Sequence, residues 1–268
     1  MPLLNISRLP VCPECLASIP PIQGRLCSVC GERVLSAYAI YDDQGLLTCP
    51  VCRRIERPFD RAVAYGSYEE GLRELVHLLK YNGVRPAANV LGRMLAQAIS
   101  KTDGSFQQPV VLVVPVPLFK GKKRQRGFNQ AEAIARAAVR NSPALGRLQL
   151  AAHLLVRTRE THSQIGLTAH QRRENLRGAF KVPRPSEVIG REVLLVDDVF
   201  TTGTTATECA RVLRRAGASR VCVATVARTL KLASKYQEGH GFNVSELQDL
   251  KEESNLAETL EPEQVETL

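Results

Sequence analysis

Two adjacent carboxylates near residue 200 are the residues in this chain best suited to chemistry. Asp197 and Asp198 follow the apolar run Val193–Val196 and precede a Thr/Gly turn. The run has the length and β-branched content of a buried parallel strand, and apolar residues recur at helical spacing from Ala206 onward. We therefore expect both carboxylates at the C-terminal end of a strand, where ligands bind in open α/β sheets.

The turn after the carboxylates has the composition of a phosphate-binding loop. Its residues are Thr201, Thr202, Gly203, Thr204 and Thr205. Backbone amides of a glycine-containing turn that opens a helix form a cradle for phosphate. Ribose 5-phosphate would satisfy both halves, with its 2′ and 3′ hydroxyls donating to Asp197 and Asp198. The alternative is a solvated aspartate pair before an ordinary helix cap. Because neighbouring like charges repel unless something binds them, we favour the ligand.

Several other classes of protein are excluded by motif and composition. The sequence contains no Walker A loop, and a lone glycine is not a dinucleotide-binding fingerprint. No stretch approaches eighteen uninterrupted apolar residues, so we expect no membrane insertion. The N-terminal residues lack the charged and apolar regions of a signal peptide, which predicts a soluble, cytoplasmic protein.

The charge of the chain is strongly uneven. The formal net charge is +9, from 36 Lys and Arg against 27 Asp and Glu. From Tyr236 onward there are nine acidic residues and one lysine, so residues 1–235 carry 35 basic against 18 acidic residues, a net charge of +17. Such a body should attract polyanions, either pyrophosphate-bearing metabolites or nucleic acid. The plainer alternative is a generally basic, solvated surface.

Six of the eight cysteines form C-x-x-C pairs before residue 53. The pairs are Cys12 with Cys15, Cys27 with Cys30, and Cys49 with Cys52. Three such pairs in a reducing compartment indicate thiolate coordination of zinc. The eighteen residues between the second and third pairs lie in the zinc-ribbon range, so those four cysteines could complete one tetrahedral structural site. Cys12 and Cys15 are then left without cysteine partners.

The order of elements predicts an α/β domain between two smaller segments. We expect a zinc-ribbon module over 1–57, a mainly parallel, twisted sheet with flanking helices over 58–230, and an acidic, flexible or weakly helical tail over 231–268. The predicted strands are Ala62–Tyr65, Val110–Val114, His153–Val156, Glu192–Val196 and Val221–Val226. The predicted helices lie near 72–79, 86–98, 129–140 and, in part, 168–176.

Two basic segments should face the same edge of the sheet. Lys120, Lys122, Lys123, Arg124 and Arg126 lie in a predicted polar loop after the second strand. Cations near the leaving oxygens would lower the barrier to displacing pyrophosphate from an activated ribose, and Mg²⁺ bridging those oxygens would add to the effect. The alternative is that the basic loop is solvated or contacts the surface of a polyanion. The second segment, residues 157–180, has the length of a lid that could bring Arg157 or Arg159 to the pyrophosphate.

Taken together, these motifs resemble those of the ComF family. The resemblance covers about residues 11–229 and rests on the cysteine pairs, HLLKYNG at 77–83, PVPLFKGKKRQRGFNQAEAIA at 115–135, RTRETHSQ with RRENLRGAF, and VLLVDDVFTTGTT. It implies an N-terminal double zinc ribbon, a type I phosphoribosyltransferase domain and a ribose-phosphate pocket at Asp197, Asp198 and Thr201–Thr205. Some members carry a further C-x-x-C upstream of the Cys12 position, so either the start lies upstream or one zinc site has been lost.

Two functions are compatible with these residues. The first is Mg²⁺-dependent transfer of phosphoribose from phosphoribosyl pyrophosphate to an unknown acceptor, with the ribose on Asp197 and Asp198 and the pyrophosphate on Arg124 or Arg159. The second is a non-catalytic accessory role in DNA uptake, through binding of single-stranded DNA. Aromatic side chains usually accompany basic residues in single-strand binders, and this chain has few. That scarcity favours the metabolite as the occupant of the pocket.

Overall fold

The computed structural model describes residues 9–35, 40–41, 45–142, 146–161 and 169–230. The strands are β1 (Ile40–Tyr41), β2 (Leu47–Thr48), β3 (Arg61–Ser67), β4 (Val111–Pro115), β5 (Leu148–Leu150), β6 (Val156–Arg157), β7 (Phe180–Lys181), β8 (Glu192–Phe200) and β9 (Arg220–Arg228). The helices are α1 (Pro13–Ala17), α2 (Pro50–Arg54), α3 (Glu70–Lys80), α4 (Ala87–Ser100), α5 (Lys120–Arg126), α6 (Gln130–Arg140), α7 (Ala169–Leu176) and α8 (Thr204–Arg215).

A five-stranded parallel sheet forms the centre of the molecule. Its strand order is β3-β9-β8-β4-β5, which places β8 in the middle. Val193–Val196 of β8 are fully buried, as their uniformly apolar character predicts. Two apolar cores cover the two faces: one includes buried residues of α3, α4 and α6, and the other includes those of α8 and β7. The predicted α/β fold, with a parallel sheet and flanking helices, is confirmed.

The secondary structure differs from the sequence prediction in three places. Residues 120–126, predicted as a polar loop, form α5. Lys, Arg and Gln are good helix formers, and basic side chains in the last turn interact favourably with the helix dipole. Gly127, at φ 79°, ends the helix. Of the strand predicted at 153–156, only Val156 is in a strand, where it opens β6; Leu154 and Leu155 are buried in a non-strand segment, and β5 lies earlier. Strand β8 continues to Phe200, so Asp197 and Asp198 lie within the strand.

The N-terminal cysteine-rich segment packs on the edge strand of the sheet. The amide of Ala62 in β3 donates to the carbonyl of Val29 at 2.7 Å. Four of the cysteines and Val34 and Leu47 contribute to a small separate core. Ile19 instead belongs to the core of the main sheet, and the hydroxyl of Tyr65 donates to its carbonyl at 3.1 Å. The domain boundaries at 57 and 230 stay predictions, and residues 231–268 lie outside the described residues. No helix within the described ranges combines the length and the apolarity that crossing a bilayer requires.

Candidate functional site

Asp197 and the Thr/Gly turn line one cleft at the C-terminal edge of the sheet. Its lining includes Asp197, Thr201, Gly203, Thr204 and Thr205, together with Thr225 of the neighbouring strand β9. The amide of Asp198 donates to Asp197 Oδ1 at 2.9 Å. The hydroxyls of Thr202 and Thr204 lie 2.8 Å apart above the start of α8. The structure therefore brings one of the two carboxylates to the predicted phosphate turn.

Gly203 shapes this turn for a backbone-mediated contact. It has φ 79° and is the N-cap of α8, where it offers no side chain to bond the first amides of the helix. A Cβ at this position would lie 2.5 Å from the ring of Phe200, so the turn packs directly on that ring. The amides and the dipole of the twelve-residue helix α8 favour negative charge at this end.

Asp198 lies apart from this cleft and is held by a lysine. Lys80 Nζ, at the end of α3, donates to Asp198 Oδ1 at 2.7 Å, and the two side chains are only 18% and 13% exposed. Lys80 extends from the helix that packs on one face of the sheet, whereas Asp197 shares its cleft with α8 on the other face. The two adjacent carboxylates thus have different environments.

The different surroundings of the two carboxylates determine the pKa values of Asp197 and Lys80. Burial, and then the neighbouring carboxylate of Asp198, raise the pKa of Asp197 to about 7. Burial alone would lower the pKa of Lys80, but the carboxylate of Asp198 more than offsets it and the pKa is raised. Asp197 therefore changes protonation near neutral pH and gains from any donor or cation that enters the cleft.

The predicted arginines of the second basic segment have distinct positions. Arg157 in β6 is half-buried, lies over the ring of Phe180 at 5.5 Å and donates to Thr161 Oγ1. Burial lowers its pKa, while the charge of Asp197 acts in the opposite direction. Arg159 is exposed and donates to the carbonyl of Arg177 at 2.7 Å, just beyond α7. The middle of the predicted lid, residues 162–168, lies outside the described residues.

Arg124 lies in a different place from Asp197. Together with Lys120, Lys123 and Gly127 it lines a separate depression along α5. On the same helix, Arg126 lies 5.6 Å from the ring centroid of Tyr81, which is 65% exposed. The basic helix therefore forms a surface of its own, with an aromatic ring beside it.

Four cysteines of the N-terminal segment converge as the spacing predicts. The ligand atoms of Cys27, Cys30, Cys49 and Cys52 all lie within 4.8 Å of one another. The sulfurs of Cys30 and Cys49 are 3.7 Å apart, and a tetrahedral zinc site with bonds of about 2.3 Å places its sulfurs about 3.8 Å apart. Hydrogen bonding from Cys30 and the other cluster thiols lowers the pKa of Cys27. This donor set could hold a metal ion and closes its coordination sphere.

Cys12 and Cys15, also predicted as metal ligands, are exposed and do not belong to this cluster. The amide of Cys15 donates to the sulfur of Cys12 at 3.3 Å, and Cys49 and Cys52 make the same contact at 3.5 Å. The pair therefore has the local geometry of a metal-binding turn, and its role as a ligand pair stays a prediction.

Lys80 is the residue of the site that the sequence analysis did not identify. Leu72, Val76 and Lys80 are spaced by four residues, so Lys80 continues the apolar face of α3. A lysine on the buried face of an amphipathic helix requires an anionic partner. The position of a lysine on this apolar face was therefore the sequence signal that could have identified Lys80 as part of the site.

Comparison with known proteins identifies the family of this chain. Residues 92–253 match the phosphoribosyl transferase domain family. The DNA utilization protein YhgH of Escherichia coli (strain K12) is 33% identical over 213 residues, which are 76% of this chain and 91% of that protein. The chain belongs to the ComF family. Competence protein F of Haemophilus influenzae (strain ATCC 51907 / DSM 11121 / KW20 / Rd) is 31% identical over 84% of this chain and 93% of its own length.

A third relative of this ComF chain is more distant. Competence protein ComFC of Bacillus subtilis (strain 168) is 26% identical over 77% of this chain and 79% of that protein. The names of these relatives refer to competence and to DNA utilization. The predicted family and the phosphoribosyltransferase-type domain are confirmed.

The two neighbouring carboxylates should respond oppositely to neutralisation. Because the folded protein holds a proton on Asp197 up to about pH 7 and an unfolded aspartate releases it near pH 3.9, this carboxyl lowers the free energy of unfolding as pH rises between those values. We expect Asp197→Asn to be more stable than wild type at pH 8. The difference in the free energy of unfolding between variant and wild type should shift in favour of wild type at pH 5. Asp198→Asn should lose about 3 kcal/mol at pH 8, because Lys80 is left buried without its carboxylate. Urea unfolding at both pH values measures this, and equal losses in both variants would contradict it.

The cysteine cluster should carry about one equivalent of zinc per chain. We expect Cys27→Ser or Cys49→Ser to release that metal, because either change removes one of four thiolates. Cys12→Ser is the matched control and should keep it. Metal analysis by inductively coupled plasma mass spectrometry identifies and counts the ion. Loss of the metal in the Cys12→Ser variant, or a fully reduced wild type without metal, would refute the assignment.

Proposed function

We propose that this protein binds phosphoribosyl pyrophosphate with Mg²⁺ and transfers the phosphoribosyl group to an acceptor. The observation that carries the proposal is the cleft in which Asp197 faces the glycine turn at the start of α8. The membership of the ComF family and its phosphoribosyl transferase domain support it.

The ribose 5-phosphate half of the ligand suits the two ends of this cleft. Its phosphate would accept hydrogen bonds from amides of the Thr201–Thr205 turn, next to the positive end of the α8 dipole. Its hydroxyls would donate to Asp197. Asp198 does not line the cleft and its Oδ1 is bonded to Lys80, so we assign both ribose hydroxyls to Asp197.

Transfer breaks the bond between the anomeric carbon and the pyrophosphate oxygen, which leaves with the electron pair, while a lone pair of the acceptor forms the new bond. Asp197 is the carboxylate of the cleft that could help to hold Mg²⁺ with the ligand, and the ion would supply positive charge against the leaving pyrophosphate. Among the protein cations we favour Arg157 for this role, because it is half-buried and interacts electrostatically with Asp197. Arg124 and Arg159 remain candidates that would have to approach from α5 and from the lid.

Binding should depend on the charge of Asp197. In isothermal titration with phosphoribosyl pyrophosphate and Mg²⁺, we expect Asp197→Asn to abolish measurable binding and Glu187→Gln, a surface control, to leave it unchanged. Because a pKa of about 7 leaves the carboxylate mostly protonated at pH 6, wild-type affinity should fall about eightfold from pH 7.5 to pH 6 beyond the titration of the ligand itself. Wild-type affinity retained by Asp197→Asn would refute the proposed site.

A second candidate function rests on α5 and its aromatic neighbour. Basic side chains along this helix and the exposed ring of Tyr81 beside Arg126 are the combination that binds single-stranded DNA without sequence preference. The names of the relatives point in the same direction. This surface is separate from the lining of the Asp197 cleft, so both activities could coexist.

Replacing Lys122 and Arg124 by glutamine should weaken binding of a single-stranded oligonucleotide and reduce the slope of log affinity against log salt by about 1.4, or about 0.7 per lost phosphate contact. Tyr81→Ala should weaken binding by about 1–3 kcal/mol through lost stacking. Fluorescence anisotropy from 50 to 200 mM salt measures both. Asp197→Asn is the control and should bind DNA at least as well as wild type. Binding unaffected by all three changes at α5 and Tyr81 would exclude this surface.

A further inference from the structure

A buried arginine lies between the cysteine cluster and the phosphate turn. Arg228, the last residue of β9, has a side chain that is 4% exposed. Its Nη1 donates to the carbonyl oxygen of Cys30, one of the four clustered cysteines, and its Nη2 lies 2.8 Å from Glu32 Oε2. The guanidinium group thus holds two consecutive parts of the cysteine-rich loop.

The other side of the same guanidinium faces the candidate site. Arg228 Cζ lies 5.0 Å from the ring centroid of Phe200, its partner residue across β8 and β9. The Phe200 ring is the surface on which Gly203 packs, so closely that a Cβ would collide with two ring atoms, at 2.5 and 2.9 Å. Phe59 contacts the same ring edge to face at 6.2 Å. Continuous contact therefore runs from Cys30 through Arg228 and Phe200 to Gly203.

The cysteine-rich loop is fitted closely to this arginine. Gly31 has φ 71°, and a Cβ there would lie 2.9 Å from the carbonyl oxygen of Ala62 and 3.4 Å from Arg228 Nη1. A shift of the loop between Cys27 and Glu32 would therefore move the carbonyl and the carboxylate that hold the guanidinium. Burying a guanidinium costs free energy that an apolar side chain would avoid. We therefore explain the buried Arg228 by the positions that its hydrogen bonds fix in the cysteine-rich loop.

We propose that Arg228 is a positioning residue that couples the cysteine cluster to the phosphate turn, so that metal in the cluster orders the turn. Metal bound by Cys27, Cys30, Cys49 and Cys52 fixes the Cys30 carbonyl and the Glu32 carboxylate. These fix the guanidinium, which fixes the ring beneath Gly203. For phosphoribosyl pyrophosphate this inference rests on the proposed function, whereas the ordering of the turn does not depend on the ligand.

Hydrogen–deuterium exchange of the full-length protein tests the coupling directly. We expect amides of the turn 201–205 to exchange about tenfold faster in Arg228→Met and in the zinc-stripped wild type than in the zinc-loaded wild type, with β4 unchanged. In zinc-stripped protein, Arg228→Met should add no further increase. The matched control is Arg220→Met, which removes an arginine from the opposite end of the same strand, 3.4 Å from Glu192. It should leave the turn unchanged.

Two further variants keep the test decisive if Arg228→Met does not fold. Phe200→Leu should loosen the turn while the zinc content stays at one equivalent, and Glu32→Gln should loosen it less than Arg228→Met. Where phosphoribosyl pyrophosphate binds the wild type, its dissociation constant should rise about three- to tenfold in the loosened variants. Turn exchange that is unchanged by zinc removal overturns the coupling, even if Phe200→Leu, which lies directly beneath the turn, loosens it. Failure of the wild type to bind phosphoribosyl pyrophosphate overturns only the proposed function.

Discussion

The structure depends on how two adjacent carboxylates are accommodated at the end of a buried central strand. Lys80 neutralises Asp198 from the side of α3, and this ion pair is largely shielded from water. Asp197 receives the amide of Asp198 and lies beside the glycine turn, with its pKa raised by burial to about 7. One carboxylate is thus compensated within the protein, while the other retains an unfavourable charge that a ligand can relieve.

The rest of the fold positions these groups. The parallel sheet brings the C-terminal end of β8 between β4 and β9, and each of its faces is covered by a separate apolar core. Helix α3 supplies Lys80 from one side, and helix α8 supplies the turn from the other. The cysteine-rich segment approaches from the edge strand β3, and its contact with Arg228 reaches the ring beneath Gly203. The described residues of this segment do not line the cleft, and under our proposal they nevertheless affect its geometry.

Sequence patterns predicted the parts of this structure that local chemistry determines. The apolar run before Asp197 and the helical spacing after Gly203 are visible because a buried strand and an amphipathic helix impose those patterns. The four-cysteine cluster was predictable from its spacing. The pairing of Lys80 with Asp198 was not, because the two residues are 118 positions apart and meet only through the packing of α3 on the sheet. Helix α5 was missed because its repeated charges resemble a solvated loop, although its Lys, Arg and Gln residues favour a helix.

The most direct test of the central claim is a crystal structure of the protein with ribose 5-phosphate. The phosphate should accept hydrogen bonds from backbone amides of the turn around Gly203, and a ribose hydroxyl should lie within hydrogen-bond distance of Asp197. Lys80 should remain bonded to Asp198. A phosphate bound instead along α5, with Asp197 and the turn making no contact to the sugar, would contradict the assignment of this cleft.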